Sequence, residues 1–149
     1  MPEGDGFIYH DFKEQLMLGV HNLAAAGHDV AVTLHTGYTP DLTNHVIWAS
    51  AGVSSTQYGS GAGYTAGGQI IASPVVTQEA TYGKFDGTDV TWTALGPLSP
   101  ATPSHAILRN DEQTVPAEPL IAYWVLGTTA TNGGDYKLQW GATGILNIT

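Results

Sequence analysis

The sequence predicts a mainly β protein: an antiparallel β-sandwich or barrel-like fold with one N-terminal α-helix. Three observations carry this expectation. Beyond Gly27 apolar residues recur at every second position in short runs. About ten such runs are separated by Gly, Pro, Asn and Asp turn signals, the pattern of two packed antiparallel sheets or a closed barrel. Helical spacing appears once, near the N-terminus. The 149 residues form a single β-rich domain, 1–149, large enough to bury a core without cross-links; the chain has no cysteine.

Taken in order, residues 1–9 form a short glycine-containing arm. A helix over about 11–26 follows, with Asp11 and Glu14 at capping-box spacing and Phe12, Leu16, Val20 and Leu23 on one face. Gly27 closes it, and Gly19 weakens its middle. Val30, Val32 and Leu34 alternate with Ala31, Thr33 and His35, a half-buried strand ending at Gly37 to Asp41. His45 to Ala49 reads as a short strand. Ile70-Ile71 and Val75-Val76 flank Pro74, which argues for an edge or a bend. Ala80 to Phe85 and Val90 to Leu95 surround Asp86-Gly87, a hairpin signal. His105 to Asn110 is a strand. Leu120 to Leu126, apolar throughout, reads as a central strand covered on both faces. Tyr136, Leu138 and Trp140 share one face of another, and Ile145 to Ile148 is the last.

Charge narrows the function classes. Only 11% of residues are charged, against about 25% in ordinary soluble domains. Four Lys and Arg stand against 13 Asp and Glu, a net charge of −9. Nucleic acid and anionic membrane surfaces both demand cations, so neither is an expected partner. No apolar run is long enough to span a bilayer, and the start Met1-Pro2-Glu3 lacks the basic and apolar regions of a signal peptide. A neutral polar exterior suits close packing against other protein, because interface cores are depleted in charge.

Several motifs bear on chemistry. Gly61-Ala62-Gly63-Tyr64-Thr65-Ala66 fits a dinucleotide pattern, but the residues after it read as a strand, so no helix N-terminus faces an anion. Ser60 lies between glycines at the wrong spacing for a nucleophile elbow. The six histidines share no metal-ligand spacing and read as polar surface groups; their protonation below pH ~6.5 would offset part of the acidity. Asp86 and Asp89 could share a Ca²⁺, or simply form a turn. Trp48, Trp92, Trp124 and Trp140 all fall in expected strands and read as core with satisfied indoles, a sugar platform being the other option. No catalytic, cofactor or metal residue is expected, and the chain is not read as an enzyme.

Five segments, in order, resemble a family of small structural proteins of tailed bacteriophages: Asp11 to Leu16; Val30 to Leu34 with Gly37 to Asp41; Gly61 to Gly68; Phe85 to Trp92; and Pro119 to Tyr123. The close, Gly133 to Trp140 and Gly144 to Leu146, fits too. The resemblance implies a non-enzymatic virion component without cofactors, assembled in the host cytoplasm. Its favoured form is a capsid decoration or cement protein on the capsid surface, a homo-oligomer (a trimer) whose partner is the major capsid protein. A tail, neck or fibre-associated protein, or a carbohydrate-binding β-sandwich module, are the alternatives. Expected contact residues are Phe7, Ile8 and Tyr9 in the arm, and Tyr58 and Tyr64 in the loop Ser54 to Gly68.

Overall fold

The computed structural model describes residues 6–149, so the first five residues of the expected arm lie outside it. Its elements in order are β1 (Phe7–Ile8), α1 (His10–Met17), β2 (Val30–His35), a 3-10 turn (Ser54–Thr56), β3 (Gln69–Ile70), β4 (Val75–Gln78), β5 (Gly83–Asp86), β6 (Val90–Trp92), β7 (His105–Asn110), β8 (Leu120–Val125), β9 (Tyr136–Leu138) and β10 (Leu146–Ile148). Three antiparallel sheets result: β1-β8-β7-β2-β3, β10-β5-β4 and β6-β9. The protein is mainly β with one N-terminal helix, in a sandwich-like arrangement.

The large sheet organises the rest. Val30, Val32 and Leu34 of β2 lie in register with Asn110, Leu108 and Ala106 of β7, and the last two with Ala122 and Trp124 of β8. These side chains form one face, and loop residues close on the sheet: Trp140, just after β9, meets Trp124 at 5.2 Å, and the Tyr64 hydroxyl of the glycine segment accepts the Leu34 N–H at 3.0 Å. Phe12, Leu23, Phe85, Trp92, Leu95, Leu138 and Leu146 complete one continuous core. Burying each such side chain is worth about 1.5–3 kcal/mol.

Several local expectations are corrected. The helix spans eight residues, not 11–26. Gly19, at φ +72°, ends it: Leu18 is the C-cap, and the Gly19 N–H bonds the Leu16 carbonyl. Asp11 does not cap the helix; its carboxylate takes the Gln15 amide one turn on. Leu23 still reaches the core, from a loop. β2 is buried on both faces rather than half-buried, because the 36–58 segment covers its second side. His45 to Ala49 supplies one isolated bridge, Ile47 to Pro119, instead of a strand.

Asp86-Gly87 is not a hairpin turn. β5 pairs with β4 and β10 while β6 pairs with β9, so these residues form a corner between two sheets. The hairpin lies earlier, between β4 and β5, closed by the Glu79 N–H on the Tyr82 carbonyl. Pro74 does separate two strands, and β4 is a sheet edge as expected. β8 is covered on both faces over Leu120 to Trp124.

Candidate functional site

The second face of the large sheet, carrying Thr33, Ile107 and Tyr123 in register, gathers aromatic and ionisable side chains under the 36–58 segment. His35 lies between the hydroxyls of Thr33 (2.8 Å) and Thr56 (2.9 Å). Tyr38 crosses His105 edge-on at 5.3 Å, and Trp48 crosses His35 at 5.6 Å. The Tyr9 and Tyr38 hydroxyls meet at 2.6 Å, and Tyr38 continues to His45 Nδ1 at 2.8 Å. Burial raises the Tyr9 phenol far above its ordinary value and pushes Tyr38 up to about 12. Burial, then His105 and Arg109, lowers His35 to about 3; burial also lowers His105. At neutral pH these four groups are uncharged, holding one another through hydrogen bonds and ring contacts.

At the rim of this cluster β1 is an edge strand. Phe7 stacks on Tyr123 at 5.0 Å with 15° between the planes, yet remains 48% exposed. Val125, two residues along β8 on the same face, is also exposed. Ile8 is half-buried against Ala122. Of the five expected contact residues, Phe7 and Ile8 therefore reach the surface. Tyr9, Tyr58 and Tyr64 are core residues: the Tyr58 hydroxyl donates to the Pro100 carbonyl, and Tyr64 binds the β2 backbone. Those three are unavailable to a partner in this fold.

The glycine segment spends its polar groups internally. Gly61 and Tyr64 exchange backbone bonds, Ser60 Oγ accepts the Ala66 N–H, and Gln57 Oε1 accepts the Gly67 N–H. The Gly67 carbonyl accepts from Arg109. β3 follows directly, so these amides form a joint and not an anion cradle.

Arg109, the sole arginine, is a functional-looking residue that motif reading passes over. Buried at the end of β7, it donates to Glu118, Asp111 and the Gly67 carbonyl while its guanidinium lies 4.3 Å over Trp48. Its signal in the sequence is a lone cation closing an apolar strand, followed by Asp111 and Glu112. Arg109→Lys keeps the charge but loses the planar fork; it should cost about 1–2 kcal/mol in urea unfolding. Glu118→Gln should cost less, since Asp111 stays in place; equal losses would remove the distinction.

The histidines are not uniformly surface groups. His35 is fully buried, and His21 and His28 converge on the Asn110 side-chain amide at 3.0 and 2.8 Å. Asp86 accepts its neighbour's Gly87 N–H, while Asp89 holds Lys137 at 2.7 Å and the Trp140 N–H. The two carboxylates thus serve separate local bonds. Among the described residues no group of three or more His, Asp or Glu could hold a metal ion.

Only Trp92 and Trp124 lie in strands, both buried; Trp48 is covered by Arg109, and Trp140 packs on Trp124 with its indole N–H on the Thr88 carbonyl. The Trp92 indole N–H lacks a partner, contrary to the satisfied core expected. A groove of about 130 Å³ separates α1 from the three-stranded sheet, lined by Phe12, Leu16, Val76, Phe85, Leu146 and Ile148 among others. Comparison with family models, curated proteins and solved structures found nothing that matches this chain.

Proposed function

We propose that the chain is a non-enzymatic structural subunit of a tailed-phage particle, a decoration or cement protein seated over contacts between major capsid subunits. The five segments that resemble tailed-phage structural proteins, Asp11 to Leu16 through Pro119 to Tyr123, motivate the reading. The observation that favours it is the exterior: sparse in charge, with Phe7, Met17, Leu18, Val115 and Val125 left exposed. Large apolar side chains on a weakly charged surface gain most when another protein covers them. Such a subunit resists outward pressure by burying a modest area across each capsomer boundary, repeated by symmetry.

Purified protein mixed with undecorated capsids should give saturable, symmetric occupancy by electron microscopy. Absence of bound density at saturating protein would overturn the proposal. A tail or neck location, the second reading, predicts a few to a few dozen copies per particle instead of hundreds, which quantitative mass spectrometry of virions separates.

Phe7 is the residue to change. Deleting residues 1–9 would also withdraw Tyr9 from the core, confusing attachment with folding. Phe7→Ser should weaken capsid binding about tenfold or more, as expected for an aromatic anchor, while shifting the melting temperature by only a few degrees. Undiminished binding would exclude the β1 rim as the contact.

A further inference from the structure

β4 is an edge strand whose four residues, Val75 to Gln78, are all exposed and uncharged. Among the described residues no backbone bond reaches its outer side. Natural edges are commonly blunted by a charge, a proline, a bulge or a covering loop; within these four residues there is none. The hairpin fixes which groups are free. Glu79 donates its N–H to Tyr82, and Thr77 lies opposite Lys84. Alternation then turns the amides of Thr77 and Val75 toward β5, and those of Val76 and Gln78 outward. Two N–H and two C=O groups await partners.

We infer that a second copy of this chain docks here, adding its own β4 antiparallel to the first about a two-fold axis through Thr77. In that register Val76 of each copy lies opposite Gln78 of the other, and the four outward groups of each strand are all paired. The register centred on Val76 instead sets the Gln78 carbonyl against Pro74, which has no N–H to give. The free edge is bounded by Pro74 and by the turn at Glu79, so a strand of its own length and phase matches it fully.

Charge agrees with this occupant. Two copies of a −9 chain repel, yet the new ladder opposes no like charges: Thr77 faces Thr77, and Val75 faces Glu79, already paired with Lys84 at 3.1 Å. Both apolar grooves then open on one face of a continuous six-stranded sheet, and Val76, which lines the groove, is covered by the other copy's Gln78. Four ladder bonds and few side chains make an interface below the standard ~1,600 Å², hence weak, with Kd on the order of 1–100 μM.

The contact does not depend on the capsid reading. It puts a two-fold pair where that reading expects a trimer, and a mass measurement tells the two apart. Sedimentation equilibrium of the full chain should show a monomer–dimer equilibrium that tightens as salt rises from about 50 to 500 mM and screens the repulsion. Thr77→Lys and Thr77→Glu, both on the exposed outer face, should each weaken dimerisation about tenfold or more with an unchanged circular-dichroism spectrum. An equimolar mixture of the two should regain or exceed wild-type affinity, because only a residue facing itself across the axis allows that rescue. A chain monomeric at several hundred micromolar (well above the expected Kd), a trimer indifferent to both variants, or failure of the mixture to recover would each overturn the inference.

Discussion

Gly68→Ala should destabilise the protein by about 3–6 kcal/mol, a large part of the ~5–15 kcal/mol that holds an ordinary domain together. Gly68 ends the glycine segment and sets β3 beside β2. Its φ is +75°, and an added Cβ would sit 1.9 Å from the Val32 carbonyl oxygen and 2.8 Å from the Thr33 methyl. The left-handed backbone costs an L-residue about 1–2 kcal/mol. Overpacking adds about 1–3, and displacing β3 weakens ladder bonds at about 1 kcal/mol each. Because the Val32 contact is backbone, in a strand bonded on both sides, it cannot rotate away as a side-chain tip could. Gly19→Ala is the control: its φ is +72° with nothing within 4 Å of the added carbon. It should lose only the backbone share, about 1–2 kcal/mol. Urea unfolding midpoints at equal slope would report both; similar losses at the two sites would mean that the close approach to β2 carries no weight.

That glycine shows where sequence reading succeeds and stops. Gly61 to Gly68 was separable from a nucleotide loop because Gln69-Ile70 reads as a strand, and the structure has a strand there. What the glycines approach could not be read, since Val32 is 36 positions away. The same limit explains the longer expected helix. Val20 and Leu23 continue the spacing of Phe12 and Leu16, but Leu23 is apolar because a loop returns it to the core, after Gly19 has already ended the turns. Asp86-Gly87 announced a reversal correctly in chemistry and wrongly in partner: local turn residues say that a chain bends, not which sheet it joins. Tyr58 and Tyr64 are expected contacts because they lie in the loop Ser54 to Gly68, and loops on a rigid sandwich carry binding surfaces, yet both rings fold inward. The alternation in β2, by contrast, was fully legible, save for the cover on its second face.

Acid should unfold this protein through buried His35 and half-buried His21, and Asn110→Asp should reverse part of that response. Asn110 is fully buried, and its Oδ1 accepts the N–H groups of Glu112 and Gln113. These two donors fix the amide, so Nδ2 donates to His21 Nδ1 and His28 Nδ1, and both nitrogens present lone pairs. His21 Nε2–H then donates to Gln15 Oε1 at 2.7 Å, and Gln15 to the Asp11 carboxylate. The chain of bonds ties α1 to the end of β7 only while His21 is neutral.

Burial first, and His28 second, lower the His21 pKa to about 4, and burial lowers His35 to about 3. Between those values and the unfolded ~6.5, the unfolded chain binds more protons than the folded one. Stability is therefore complete above pH ~6.5 and lost as pH falls toward 4 and then 3, by about 3–4 kcal/mol at pH 4 after discounting the partly exposed His21. Asn110→Asp leaves the two backbone bonds in place but turns the inner group into an acceptor facing His21 Nδ1, an acceptor itself while Nε2–H is held by Gln15. At pH 8 the variant should be about 3 kcal/mol less stable than wild type, the cost of a buried carboxylate whose inner oxygen meets the His21 lone pair. A protonated His21 imidazole would turn Nδ1 into a donor toward that oxygen, so its protonation would favour the folded variant and the deficit should shrink between pH 8 and pH 5. Asn110→Leu, which strands the Glu112 and Gln113 amides at every pH, should stay destabilised across that range. Unfolding curves for the three proteins at pH 8, 6.5 and 5 decide the matter: parallel profiles would show that Asn110 fills space without governing the charge of His21.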